Sequence, residues 1–373
     1  MKHEDHEGKT LGVGIAGWLR SSEFVQGFFF VVFVVFVFPA FAFDPVVPGK
    51  QLEFPRDAGA HPGHRIEWWY VTGHLDSPQG PLGFQVTFFR VRNPDADENP
   101  SRFSPRQLLF AHAAIADPAQ GHLLHAQRSA RMLEGLVEAR TDGLGVRLDD
   151  WSLRREADGY HARVNAADFA LDLVLAPTQS PLLQGDRGFS RKGPSPANAS
   201  YYYSEPQLRA SGRVVIDGAV REVKGVAWLD HEWSSEVLAP DAMGWDWLGA
   251  NLDDGSALMA FRIRARDGST LWANATLRAS GGTVVALGAE AVAFTPRRMW
   301  KSSRTGVSYP LSVDVRVGAR SWRVEPVMDD QELDARASTG TLYWEGAVRV
   351  QSDDGVRGRG YLELTGYGER VPF

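Results

Sequence analysis

Residues 67–90 read EWWYVTGHLDSPQGPLGFQVTFFR. Two β-prone runs, Trp68–Leu75 and Gly83–Arg90, flank a polar Asp-Ser-Pro-Gln-Gly turn, which is the pattern of a β-hairpin. Residues 244–262, GWDWLGANLDDGSALMAFR, repeat it. Placing Leu75-Asp76 on Leu252-Asp253 puts Trp68 on Trp245, Tyr70 on Trp247 and Phe89-Arg90 on Phe261-Arg262. A second pair, ASGRVVIDGAVREVKGVAWL (210–229) and EGAVRVQSDDGVRGRGYLEL (345–364), shares a Gly-x-Val, a turn and a Gly-led strand. Each copy therefore opens on a Trp-rich strand and closes on a Gly-led one. The duplication predicts two β-domains, residues 43–238 and 239–373. In a closed up-and-down barrel the first and last strands pair, because closure removes free edges. Glu67-Trp68-Trp69-Tyr70 is thus expected beside Asp230-His231-Glu232-Trp233. In the second copy this alignment puts Thr365, Gly366 and Tyr367 where the first has its charged cluster. One site is then expected in the first domain or at the domain interface.

The rest of the chain agrees with an all-β reading. Leu108–Ala116, Phe169–Leu175, Arg213–Asp217 and Val223–Leu229 are short β-rich runs. Asp217-Gly218, Asp254-Gly255, Asp267-Gly268, Gly281-Gly282 and Asp354-Gly355 are hairpin turn signals. Residues 126–140 leave room for a short helix interrupted by Gly135, and 176–200 read as a long, lid-like loop. The 373 residues include 38 Gly, 12 Trp and no Cys, with 40 Lys+Arg against 46 Asp+Glu, a net charge of −6. Without Cys there are no disulfides, thiolate metal sites or Cys nucleophiles. Without a basic stripe there is no case for a nucleic-acid partner. Residues 24–43, FVQGFFFVVFVVFVFPAFAF, hold an apolar core too short to span a bilayer, followed by Ala40-Phe41-Ala42. This is the pattern of a signal peptide over residues 1–42, cleaved after Ala42, and it predicts a secreted or periplasmic protein.

Few residues carry chemistry. Asp230-His231-Glu232-Trp233 is the densest group of titratable side chains beside aromatic ones. On a strand, Asp230 and Glu232 share one face, His231 and Trp233 the other. A carboxyl kept neutral in an apolar cavity can protonate a C=C bond, and Trp faces can stabilise the resulting cation. The same residues read equally well as a buried polar knot, with His231 donating to a carboxylate. Glu67 either orients His231 or acts as an acid, while Trp68 and Tyr70 line a cavity or fill the barrel core. Trp245 and Trp247 share a face and could roof such a cavity, with Asp246 on the other side. Tyr202 suits a cavity mouth, and His112 is a ligand contact or a satisfied core histidine. His61 and His64, in a Pro-Gly turn, read as surface residues. No tight metal-ligand spacing such as HExxH occurs. No Gly-x-Ser-x-Gly elbow occurs either, which argues against a classical Ser hydrolase. No metal and no cofactor are assigned.

The motifs HPGHRIEWWYVTGHL, GFQVTFFR, FAHAAIAD, YYYSEPQLRASG, WLDHEWSS and GWDWLGANLDDG, spread from about Phe54 to Tyr367, together resemble the AttH/carotenoid 1,2-hydratase-like family. The resemblance implies an all-β fold of two tandem lipocalin-like antiparallel β-barrels. It also implies kinship with carotenoid hydratases and fungal pericyclases, and for some members a neighbouring ABC-transporter permease. By resemblance, His231 and Trp233 fall in the family's active-site segment, with Asp230 or Asp246 as acids. The expected function is binding of a hydrophobic small molecule (isoprenoid, polyketide or lipid), with acid-assisted hydration or cyclisation at a C=C bond. A non-enzymatic periplasmic lipophile carrier working with an ABC-transporter permease is the alternative. The expected catalytic residues are Asp230, His231, Glu67 and Asp246. The expected ligand contacts are Trp68, Tyr70, His112, Tyr202, Trp233 and Trp245.

Overall fold

Along the strand β1 (Ile66–Ser77) side chains alternate between two buried environments. Trp69, Val71 and Leu75 point into one apolar core, whereas Trp68 and Tyr70 point out of it into a second one. Both faces of the strand are apolar, so both must be covered. That requirement shapes the rest of the molecule. The computed structural model describes residues 43–371 apart from 102 and 237; the expected signal peptide lies outside the described residues.

β1 continues through a tight turn into β2 (Gly80–Arg92) and then β3 (Gln107–Ala116). Two long strands, β4 (Ala199–Ile216) and β5 (Ala219–Glu236), form a hairpin over Asp217-Gly218, both with positive φ, as a tight two-residue turn demands. The second sheet is built on β6 (Ala242–Leu252), β7 (Ala257–Ala265), β8 (Thr341–Ser352) and β9 (Arg357–Leu364). The first sheet runs Leu123–Arg131, β3, β2, β1, β5, β4, Phe169–Ala176, Gly159–Asn165, Trp151–Glu156, Gly145–Leu148 and Val137–Ala139. The second runs Val284–Gly288, Thr270–Arg278, β7, β6, β9, β8, Arg320–Pro326, Ser308–Val317 and Val292–Lys301. All pairings are antiparallel. The first sheet curls into a nearly closed barrel and the second into a half-barrel. The described residues contain no α-helix, only three short 3₁₀ turns, and no helix long and apolar enough to cross a membrane. The region 126–140, where a short helix seemed open, holds the strands Leu123–Arg131 and Val137–Ala139 instead. Its positive-φ Gly135 serves the turn between them. Nor is 176–200 an open loop: Leu182–Leu183 and Phe189–Arg191 pair with β4 as a strap.

Three buried layers result. The first barrel is filled by Trp69, Phe84, Phe88 and Trp151, and the half-barrel by Leu248, Tyr309, Trp322 and Trp344. Between them, Tyr70, Tyr202, Trp228, Trp247, Phe261 and Tyr361 pack the outer faces of the two sheets together. Gly83 makes this close approach feasible: a Cβ there would stand 2.6 Å from Ala347 Cβ and 2.9 Å from the Tyr361 hydroxyl.

Strand register confirms the expected pairing and corrects the repeat. Glu67 lies opposite Trp233, Trp69 opposite His231, and Tyr70 opposite Asp230. In the second copy, Trp247 lies opposite Glu363. The structural counterpart of Asp230 is therefore Glu363. Matching the Gly-led strands by sequence slid the copies by two residues and put Thr365 in that place.

Candidate active site between the two sheets

The alternation that splits β1 also splits β5. Asp230 and Glu232 face the inter-sheet layer, while His231 and Trp233 face the barrel. A pocket of about 110 Å³ opens on the inter-sheet side. The first sheet contributes Trp68, Tyr70, Phe89, His112, Asp230 and Glu232. The second contributes Trp245, Trp247, Phe261, Tyr343, Glu345 and Glu363. Lys192 enters from the strap, and Leu238, Thr339–Leu342 and Glu369–Val371 frame the rim. The pocket lies outside both barrel interiors, which are packed with side chains.

Four carboxyls meet aromatic rings here. Asp230 accepts from Ser204 Oγ at 2.5 Å, Tyr202 Oη at 2.7 Å and Trp228 Nε1 at 2.6 Å. Burial outweighs these donors, and the Glu232 charge adds to it, so the Asp230 pKa is pushed up to about 7. Glu345 and Glu363 stand directly opposite one another on β8 and β9. Like charges in that position repel. Burial, reinforced by the Glu363 charge, holds Glu345 well above the usual carboxylate range. Burial likewise lifts Glu363 to about 7, against the hydrogen bond that Trp245 Nε1 donates to it at 2.9 Å. Glu232 is engaged differently: it accepts from Ser200 Oγ and pairs with Lys192 Nζ at 2.8 Å. The Lys192 ammonium lies over the Tyr202 and Phe261 rings, 4.6 and 4.2 Å from their centroids. His112 Nδ1 is 2.9 Å from Tyr343 Oη and its Nε2 2.9 Å from Ser338 Oγ. Burial drops its pKa to about 3, so it is a neutral bridge between the sheets.

The expected site residues thus divide. Asp230, Trp68, Tyr70, His112 and Trp245 line the pocket, and Tyr202 backs it through Asp230 and through Trp247 Nε1, which donates to its hydroxyl at 3.1 Å. Trp68 and Tyr70 do not fill the barrel core, because Trp69 does. Glu67, His231, Trp233 and Asp246 are not at the pocket. Glu232, named in the 230–233 cluster but given no role of its own, is a pocket residue, as are Glu345, Glu363 and Lys192, which the sequence did not single out. The strand alternation that separated Asp230 from His231 had Glu232 in view. The other three needed the ladder register or the strap.

Glu67 and His231 form the polar knot, on the barrel side of β1 and β5. Glu67 is fully buried and accepts from His231 Nε2 at 2.9 Å, His61 Nδ1 at 2.7 Å, the His61 backbone N–H at 2.8 Å and Arg90 Nε at 2.8 Å. Burial alone would raise its pKa, but the two histidine hydrogen bonds and the Arg90 charge hold it well below the usual value. His61 also reaches Asp57 Oδ1 at 3.3 Å. Burial works to lower its pKa, but the hydrogen bonds to Asp57 and Glu67 outweigh it and raise it. Burial takes His231 down to about 4, leaving it neutral. His61 stacks on Trp233 with ring centroids 3.8 Å apart, and His64 is buried, so neither His61 nor His64 is the surface residue expected. The knot pins the N-terminal stretch before β1 across the barrel end. Asp246 faces the half-barrel, clamped by Arg262 Nε at 2.6 Å, Arg264 Nε at 2.9 Å and Tyr367 Oη at 3.0 Å. Its two oxygens are taken up by the guanidiniums and the tyrosine hydroxyl, away from the pocket.

His61, Glu67 and His231 are the one buried group among the described residues that brings three metal-donor atoms within 4.8 Å of one another. Each of those atoms is already used in a hydrogen bond, and Arg90 supplies the cation that Glu67 needs. The chemistry of the donor set is that of a closed ion-pair network.

The AttH-like family profile matches residues 45–367. A crystal structure of an AttH-type protein from Nitrosomonas europaea is 54% identical, with a TM-score of 0.82, covering 87% of this chain and 99% of that one. Kievitone hydratase from Nectria haematococca shares the fold at 15% identity and a TM-score of 0.63, covering 87% and 98%. CghA, solved with Sch210972, does so at 14% identity and a TM-score of 0.50, covering 80% and 88%. No curated protein sequence matches this chain with significance. A family match across most of the chain, joined to a relative identical at more than half of its positions, shows that the chain belongs to the AttH-like family.

Proposed function

We propose that the inter-sheet pocket binds an unsaturated hydrophobic small molecule and protonates one of its C=C bonds. Asp230 and Glu363 serve as the acids. The observation that carries this reading is the pairing of register-equivalent carboxyls, one from each sheet, on facing walls of one aromatic pocket. A carboxyl poised near pH 7 can hold a proton and still release it. Transfer from the carboxyl oxygen to one alkene carbon breaks the π bond, forms a C–H bond and leaves a cation on the other carbon. The faces of Trp68, Trp247 and Phe89 stabilise that cation. Water then adds, returning a proton to the carboxylate, which is hydration; attack by a second double bond instead closes a ring and moves the cation onto that bond, and the carboxylate takes back a proton from the adjacent carbon to leave a new C=C. The shared fold with a hydratase supports this at the level of architecture. A space of about 110 Å³ takes one ring or a short isoprenoid segment, so a larger ligand would extend past the rim.

The expected export signal places this work outside the cytoplasm, where the same pocket without turnover would serve a carrier. Native mass spectrometry of protein purified from its host identifies any bound lipophile. That compound, incubated with the enzyme in D₂O, is expected to gain carbon-bound deuterium. Asp230→Asn and Glu363→Gln each abolish the label while retaining binding. Binding with no deuterium in the wild type would discard the enzyme in favour of the carrier.

A further inference from the structure

A carboxyl group offers two lone-pair positions on each oxygen. Asp230 Oδ1 accepts from Ser204 Oγ and from Trp228 Nε1, so both of its positions are taken. Among the described residues, Oδ2 accepts from Tyr202 Oη alone. None of these three donors can turn round. An indole N–H gives and never accepts. Tyr202 Oη already accepts from Trp247 Nε1 at 3.1 Å, and Ser204 Oγ from Gln184 Nε2 at 2.7 Å. Each hydroxyl has a single proton, and with an N–H donor on its oxygen that proton goes to Asp230. Gln184 is fully buried on the strap, just after its Leu182–Leu183 strand. Its backbone N–H donates to Tyr202 O at 3.0 Å, which seats it on β4. Two chains of hydrogen bonds therefore converge on Asp230, one from the strap and one from the second sheet.

We infer that the transferable proton of Asp230 sits on Oδ2, at the one position left, and that Gln184 and Ser204 are positioning residues that keep it there. Ser204 closes Oδ1 to the proton, and Gln184 keeps the Ser204 hydroxyl aimed at Oδ1. The strap thus acts on the acid through two hydrogen bonds, although Gln184 does not line the pocket. Oδ2 is the oxygen on the side of Tyr202 and Trp247, and Trp247 is a wall of the pocket. Glu363 accepts from Trp245 Nε1 and has no such double chain. This rests on Asp230 being the acid, and it adds which oxygen delivers the proton and what aims it.

Infrared difference spectra of the full-length protein, recorded in D₂O between pH 5 and pH 9, test this without a ligand. The C=O band that Asp230→Asn removes belongs to neutral Asp230, and in the wild type it is expected to fade near pH 7. Glu232 on β5, Tyr70 on β1, Lys192 from the strap and Glu345 and Glu363 from the second sheet surround Asp230 in every variant compared. Ser204→Ala removes a hydrogen bond to a charged group and should raise the midpoint by about one pH unit or more. Gln184→Met should raise it by less, and Ser204→Thr, which keeps the hydroxyl, should restore it. With the proton on Oδ2, Oδ1 is the carbonyl oxygen. Ser204→Ala should then move the C=O band to higher frequency by more than Tyr202→Phe does. A midpoint that stays put or falls in either Ser204→Ala or Gln184→Met overturns the positioning role, and the reverse order of band shifts overturns the assignment to Oδ2. Both results leave Asp230 as the acid. A wild-type band that fades in the ordinary carboxylate range overturns the acid and this inference together. Ser204→Ala deletes one oxygen atom, so the test stands even where Gln184→Met fails to fold.

Discussion

Asp230 holds its proton because the fold buries it, and that has a cost which depends on pH. Its pKa is about 7 in the folded protein against about 3.8 when exposed. Above pH 3.8 the unfolded chain releases this proton while the folded one retains it. The folded state therefore binds more protons, and stability falls as pH rises from about 4 to about 7, then levels off. At about 1.36 kcal/mol per pKa unit the ceiling is about 4 kcal/mol. Asp230→Asn removes this dependence. Urea unfolding at pH 4.5 and pH 8 should show the variant gaining on the wild type by up to about 3 kcal/mol across that interval; parallel curves would mean Asp230 titrates normally. The catalytic consequence has the same origin, since deuterium incorporation should decline as pH rises through about 7. Glu67 behaves in the opposite sense. Its pKa is depressed, so its contribution is complete above the unfolded value and is lost as pH falls through the folded one. Glu67→Gln strands the buried Arg90 and should cost about 3–5 kcal/mol in denaturant unfolding. Ligand affinity should be retained in the folded fraction, because Glu67 does not touch the pocket.

Strands, rather than single residues, decide which of these side chains meet. The period-two alternation of β5 put Asp230 and His231 on opposite faces, and that much was legible in the sequence. It could not say which face held the ligand. Both faces are buried, and their linings, Trp69 and Trp233 inside against Trp68 and Trp247 outside, are equally aromatic. Asp246 was misread for the same reason: its alternation was clear, but its two arginine partners lie on β7, which pairs with β6 in space. Glu363 was hidden by register. Gly225 and Gly360 are similar in sequence but not equivalent in the ladder, where Gly225 faces Leu75 and Leu252 faces Gly358. His61 and His64 looked like turn residues because nothing local reveals that the turn folds back over Glu67. The element that carries them should be the first to loosen when the knot breaks. In Glu67→Gln, amide hydrogen exchange over residues 43–65 should accelerate more than over β2 and β3. Uniform acceleration would mean that the knot supports the whole barrel and not the N-terminal stretch. A packing test belongs at β2: Gly83→Val drives a side chain into Ala347 and Tyr361, and should lower stability by about 1–3 kcal/mol.

At the scale of the molecule, the two sheets share one buried layer, and that decides how they unfold. Tandem barrels joined by a short linker would be expected to melt separately, each keeping its own core. Here the outer face of each sheet is apolar, and only the other sheet covers it. Polar contacts lock the two together: His74 Nε2 donates to Gly360 O at 2.9 Å, Asn251 Nδ2 to Ala227 O at 3.1 Å, and Gln207 Nε2 to Leu252 O and Ser256 O, both at 2.9 Å. Losing one sheet would expose Tyr70, Trp228 or Trp247 along with these groups, a penalty in buried apolar area of several side chains at about 1.5–3 kcal/mol each. Neither sheet should then persist alone. Calorimetry should give one transition, with tryptophan fluorescence and far-UV circular dichroism coinciding in urea. Two resolved transitions would show that each sheet is stable without its partner, and the pocket, whose walls come from both, would then open on partial unfolding before either barrel is lost. A ligand seated between the sheets binds only their docked form. It should therefore raise the single transition as its concentration exceeds its dissociation constant, by about 2.7 kcal/mol at a hundred-fold excess. A ligand bound inside one barrel of two independent ones would instead shift the melting of that barrel only, so the same melting curves also report which layer holds the site.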